Sequence, residues 1–84
     1  MNILIIEDEE LAAERLERML IEVDPNVRVL AKIGSVKESV AWLNEHKADL
    51  IFVDIQLSDG LSFNIFEAVD ASVPLIFTTA YDQY

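Results

Sequence analysis

The chain has no cysteine, so a disulfide scaffold, a thiolate metal site and a cysteine nucleophile are excluded. Only two prolines and two glycines occur in 84 residues, too few for a linker-rich or low-complexity chain. No apolar run approaches the roughly 20 residues needed to span a bilayer. The N-terminus, Met1-Asn2-Ile3-Leu4-Ile5-Ile6-Glu7-Asp8, lacks a basic flank and meets acids after four apolar residues, unlike a signal peptide. The expectation is a soluble, cytoplasmic protein. Basic residues are scarce, six against sixteen acids, for a net charge of −10. A polyanion would be repelled by that surface, which argues against nucleic-acid binding by this segment.

The cations are also unevenly placed. Residues 1–47 hold ten acids and all six bases; residues 48–84 hold six acids and no Lys or Arg. A carboxylate site in the second half has no cation of its own there. It must borrow a metal ion or face water.

What is present is apolar. Such residues make up 52% of the chain, enough for a packed core in a single domain. Three continuous runs, Ile3 to Ile6, Leu50 to Val53 and Val73 to Phe77, suit strands buried on both faces of a parallel sheet. A fourth, Val27 to Ile33, alternates and contains two cations, as an edge strand does. Between them lie helical patterns. Over residues 9–23, Leu11 or Ala12, Leu16, Met19, Leu20 and Val23 form an apolar stripe that ends at Asp24-Pro25. Ser35 and Glu38 have capping-box spacing at the start of a second helix with Val36, Val40, Trp42 and Leu43. A third helix, about Leu61 to Val69, follows Ser58-Asp59-Gly60. Alternating strands and helices predict right-handed crossovers and a doubly wound α/β sheet.

Ligands of such sheets bind beyond the carboxyl ends of the strands. The first strand ends in Glu7-Asp8, the third in Asp54 and the fourth in Thr78-Thr79, while the second ends in Gly34-Ser35. Three carboxylates and a hydroxyl therefore converge. Crowded carboxylates repel one another unless a divalent cation sits among them, and oxygen ligands without His or Cys favour Mg²⁺.

The segments Ile3 to Glu9, Asp49 to Ile55, Asp59-Gly60 and Ile76 to Ala80 together resemble the receiver domain of two-component response regulators. The resemblance runs from Met1 to Tyr84, and Phe77-Thr78-Thr79-Ala80-Tyr81-Asp82 is most similar to the LytTR-type branch. It implies a flavodoxin-like strand order 2-1-3-4, with helix one expected on one face and helices two and three on the other or at its rim. It implies that Asp54 accepts a phosphoryl group from a sensor histidine kinase. Asp8 would then bind Mg²⁺ directly, Glu7 through water, and Gln56 through its backbone carbonyl. Thr79 would be the switch hydroxyl. The domain would not be an enzyme, though it would promote its own phosphoryl transfer and hydrolysis, and its output would be transcriptional through a C-terminal DNA-binding domain.

Two departures accompany the match. Asp54 to Gly60 is only six residues, shorter than is common in the family, and Leu57-Ser58 stands where Met-Pro is usual. The family's fifth strand carries a lysine, yet no Lys follows Lys47. The expectation is thus a receiver truncated before the fifth strand and helix. Its fourth strand would then be a bare edge, promoting self-association through that strand or through swapped elements. Two alternatives are weighed. A receiver-like interaction module that is not phosphorylated would explain the absent lysine. A phosphatase of the haloacid dehalogenase type needs a second Asp two residues after the nucleophile, where this chain has Gln56. His46, near the end of the second helix, is read as a dipole-compensating residue, and Trp42, Phe52, Phe63, Phe66 and Phe77 as core or packing residues.

Overall fold

A computed structural model of the chain describes residues 1–70 and 72–78. Strands β1 (Asn2–Ile6), β2 (Arg28–Ile33), β3 (Leu50–Asp54) and β6 (Leu75–Thr78) form one parallel sheet in the order β2-β1-β3-β6. This is the expected 2-1-3-4 arrangement. Between β3 and β6 the short strands β4 (Gln56–Leu57) and β5 (Gly60–Leu61) pair as an antiparallel hairpin, which sequence patterning does not foreshadow.

The chain moves outward from β1 in two directions, first to β2 and then across to β3. Right-handed crossovers in opposite directions place their helices on opposite faces. Helix α1 (Glu10–Val23) accordingly covers Ile3 and Ile5, while α2 (Val36–Glu45) and α3 (Phe63–Ala68) lie over Leu4, Ile6, Ile51 and Val53. Burial on both faces explains why β1 and β3 are continuous apolar runs. Edge strand β2 has the alternating pattern expected of it, half-buried and exposed by turns.

Two expectations need correction. The buried stripe of α1 is Ala13 with half-buried Leu16 and Leu20, and Leu11, Met19 and Val23 are exposed. The helix is rotated so that the small side chain of Ala13 packs against Ile3 and Ile5 of the sheet. Helix α3 starts at Phe63 rather than Leu61, because Leu61 is used in pairing with Gln56. Phe63 and Phe77, expected among core or packing residues, pack on one another with their rings tilted by 54° and centroids 5.5 Å apart, but remain about half exposed.

Helix α2 starts where its cap predicts. The Ser35 hydroxyl accepts from the Glu38 N–H at 3.1 Å, and the Glu38 carboxylate turns back to the same hydroxyl at 3.3 Å. At its other end, the His46 ring stacks on Trp42 with centroids 4.7 Å apart. No helix among the described residues is long and apolar enough to cross a membrane.

Replacing a residue at the centre of this double burial should be costly. Leu4→Ala is expected to lower the free energy of unfolding by about 2–5 kcal/mol, whereas exposed Leu11→Ala should change it by about 0.5 kcal/mol or less. Urea denaturation of both variants checks the contrast.

Candidate metal and phosphoacceptor site

The register builds the site. Ile6 pairs with Val53, so the next residues on the two central strands, Glu7 and Asp54, emerge side by side at the carboxyl end of the sheet. Asp54 is buried, Glu7 half-buried and Asp8 exposed. One carboxylate oxygen from each of the three lies within 4.8 Å of the others. The sheet thus brings together the three acids that the sequence singles out.

Their electrostatics follow from crowding in a partly dry place. Burial is the main cause that pushes the Glu7 carboxyl up to about 7, and the charge on Asp54 adds to it; the Glu9 N–H, which donates to Glu7 Oε2 at 3.0 Å, opposes it. Burial also raises Asp54, helped by the Asp8 charge, while the backbone amides of Ile55 and Gln56 favour its anion. A proton on Glu7 therefore relieves part of the repulsion. A divalent cation would relieve more. The donor set fits Mg²⁺: hard oxygens only, with Asp8 open to solvent for a metal that keeps several waters.

On the neighbouring strands, Thr78 is the register partner of Asp54. Thr79, the expected switch hydroxyl, lies outside the described residues. Gln56 is exposed and opens the β4–β5 hairpin immediately beyond Asp54. Hairpin and strand are joined at their base, where the Ser62 N–H and hydroxyl donate to the Ile55 carbonyl at 2.8 and 3.1 Å. The shortened loop closes as a two-residue turn, Ser58-Asp59, followed by Gly60 at φ 146°, a conformation that side-chain-bearing residues rarely adopt. Leu57, only 5% exposed, anchors it in the core.

Gly34 and Asp59 escape sequence reasoning as site-supporting residues. A Cβ at Gly34 would come 3.1 Å from the Asp8 Cα and 3.5 Å from the Glu7 carbonyl, so the β2–α2 turn abuts the acidic turn only because glycine is there. The Asp59 carboxylate accepts from the N–H groups of Val36 and Lys37 at 2.6 and 3.1 Å. The Asp59-Gly60 dipeptide signals a turn, but no local pattern announces a partner more than twenty residues away.

The fold is a parallel α/β sheet with three acids gathered at the carboxyl ends of its central strands, and residues 3–84 match the response regulator receiver domain; the chain belongs to that family. Among curated relatives it is similar to the sensory transduction protein LytT of Enterococcus faecalis, 40% identical over 87 residues, and to LytT of Bacillus anthracis, 34% identical. Each match covers all of this chain, which spans about a third of the relatives' length, 36% and 35%. Among solved structures, the response regulator PhyR from Brucella abortus superposes with a TM-score of 0.82 at 30% identity, over 95% of this chain and 33% of that one. The non-phosphorylated HemR receiver domain from Leptospira biflexa gives 0.78 at 27% identity, over 99% of this chain and 67% of that one.

The raised Glu7 carboxyl has a definite consequence for stability without metal. It holds its proton more tightly folded than unfolded, so its contribution is fully present below about 4.5 and is lost as pH rises to about 7. In EDTA, the urea midpoint of the unsubstituted protein should fall across that interval more steeply than that of Glu7→Gln. Parallel profiles would show that Glu7 is not perturbed.

Proposed function

We propose that this receiver is switched by phosphorylation of Asp54, with a sensor histidine kinase as donor and Mg²⁺ as the required ion. The observation that carries this reading is the convergence of Glu7, Asp8 and Asp54 within 4.8 Å at the carboxyl ends of β1 and β3. In the transfer, an Asp54 Oδ forms a bond to phosphorus as the bond from phosphorus to the donor imidazole nitrogen breaks, and the electron pair leaves with the imidazole. Asp8 and Asp54 would hold the ion directly, Glu7 through water, and Gln56 through its backbone carbonyl. When bound, Mg²⁺ supplies positive charge that offsets the carboxylates and the phosphoryl oxygens. The chain's own contribution is placement: β3 fixes Asp54, the amides of Ile55 and Gln56 favour its anion, and the buried strand end limits water at the nucleophile.

In this reading the Thr79 hydroxyl then turns toward the phosphoryl group, a rearrangement between two states of the domain. The domain promotes its own transfer and hydrolysis without being an enzyme in the ordinary sense. Residues 1–84 would be the receiver portion of a longer cytoplasmic regulator whose separate C-terminal domain binds DNA. The outer edge of β6 is unpaired among the described residues and carries Ile76 and Phe77 about 44% and 43% exposed. It is the surface through which we propose self-association.

Acetyl phosphate with Mg²⁺ should label the protein, and either Asp54→Asn or EDTA should bring labelling to background. Persistent labelling of Asp54→Asn would place the acceptor elsewhere, and no labelling of the unsubstituted protein would favour an unphosphorylated interaction module. Sedimentation of residues 1–84 at several salt concentrations should show dimers or larger species. A single monomer at high protein and high salt concentration would remove self-association.

A further inference from the structure

An α-helix starts with four N–H groups that have no partner inside it. In α2 three of them have side-chain partners. The Glu38 N–H donates to the Ser35 hydroxyl at 3.1 Å, while the Ser39 N–H makes the first intrahelical bond, to the Ser35 carbonyl, also at 3.1 Å. The other two go to a distant residue. The Val36 and Lys37 N–H groups donate to separate oxygens of Asp59, at the tip of the β4–β5 hairpin. Beside it, the Ser58 hydroxyl donates to the Gly34 carbonyl at 3.2 Å. The hairpin turn is therefore bonded to the β2–α2 turn through Ser58 and to the first residues of α2 through Asp59.

That turn in turn touches the acidic site. Gly34 lies so close to Asp8 that an added Cβ would sit 3.1 Å from the Asp8 Cα. The hairpin's base is bonded to Ile55, the residue after Asp54. The short strand carrying Gln56 is thus held at both ends: to the Asp54 strand at its base and, through α2 and Gly34, to the Glu7-Asp8 turn at its tip. Two amides hold the Asp59 carboxyl below the usual carboxylate range, so the clamp stays ionised at neutral pH.

We propose that Asp59 is a positioning residue for divalent-cation binding, because its two-oxygen clamp on α2 sets where the Gln56 carbonyl lies relative to Glu7, Asp8 and Asp54. This inference rests on the reading of the acidic cluster as a Mg²⁺ site. An ordinary helix cap needs only a local residue, as Ser35 demonstrates on the same helix. A cap supplied by the loop that bears a ligand fixes the loop as well as the helix. Outer groups that orient metal ligands typically matter about 10–100-fold in affinity.

The test is a Mg²⁺ titration of the full-length protein followed by the amide NMR shifts of Asp8 and Gln56. Asp59→Ala should weaken binding by about tenfold and speed hydrogen exchange of the Val36 and Lys37 amides. Asp59→Asn, which keeps one acceptor oxygen, should fall between it and the unsubstituted protein. Ser35→Ala removes a cap from the same helix without touching the hairpin, and should lower thermal stability while leaving Mg²⁺ affinity unchanged. Should Asp59→Ala fail to fold, Asp59→Asn and Ser58→Ala carry the test, each weakening binding, Ser58→Ala by less. Mg²⁺ affinity undiminished in the folded Asp59 variants, or weakened equally by Ser35→Ala, overturns the inference. Absence of Mg²⁺ shifts in the unsubstituted protein overturns the metal-site reading itself, and the inference with it, and is distinguishable because no substitution is involved.

Discussion

The structure depends on the adjacency of β1 and β3. Their parallel register sets Ile6 against Val53 and therefore Glu7 beside Asp54. Two ionised carboxylates with oxygens within 4.8 Å of each other repel by roughly 3 kcal/mol or more at an effective dielectric of about 20, and less where Asp8 meets water and salt. Beneath them Ile3, Leu4, Ile5, Ile6, Ile51 and Val53 are at most 1% exposed. Each such side chain contributes about 1.5–3 kcal/mol on burial. The apolar strands can therefore hold the acids in a proximity that the acids themselves oppose. Helices on both faces are what make that burial complete, so the doubly wound topology and the charged site are one arrangement rather than two.

Much of this was legible in the sequence because the relevant signals are local and periodic. The runs Ile3 to Ile6 and Leu50 to Val53 are continuous because they are buried twice, and each is followed directly by acids. The cap of α2 at Ser35 is likewise a pattern four residues long, and the structure keeps it. Where reading failed, the deciding contact was not local. The stripe on α1 is ambiguous because Leu11, Met19 and Val23 share its helical spacing with Leu16 and Leu20. Only the packing of Ala13 against Ile3 and Ile5 selects the face. The β4–β5 hairpin has two residues per strand, too short for any periodicity, and its formation shifts the start of α3. The roles of Gly34 and Asp59 exist only once β1, α2 and the hairpin are in place. Strand order is different again: the runs imply a parallel sheet, but the 2-1-3-4 sequence comes from the family resemblance.

The short loop after Asp54 shows how a departure from family spacing can be accommodated. With fewer residues available, the chain closes as a tight hairpin whose turn needs glycine at position 60. A free hairpin of two residues per strand would be marginal on its own. Here Leu57 enters the core, Ser62 closes the base and the Ser58-Asp59 tip is bonded to a neighbouring turn. The stability of the loop is therefore borrowed from three sides, and the site inherits its rigidity.

The charge distribution gives the site its sensitivity. Residues 48–84 contain no base, so Asp54 has no cation from its own half of the chain. Lys32, from the other half, lines the same cleft as Glu7 and Asp8, but its ammonium is engaged by Glu17 at 2.6 Å. That ion pair, with Glu17 on α1, holds Lys32 charged. The three carboxylates are thus left with a charge that the described residues do not neutralise. A proton on Glu7, which titrates at about 7, and a divalent cation would answer the same charge, and each lowers the need for the other. Protonation and metal binding would therefore compete at this sheet end. The crowding that makes the site costly without a ligand is also what would give a cation its purchase there.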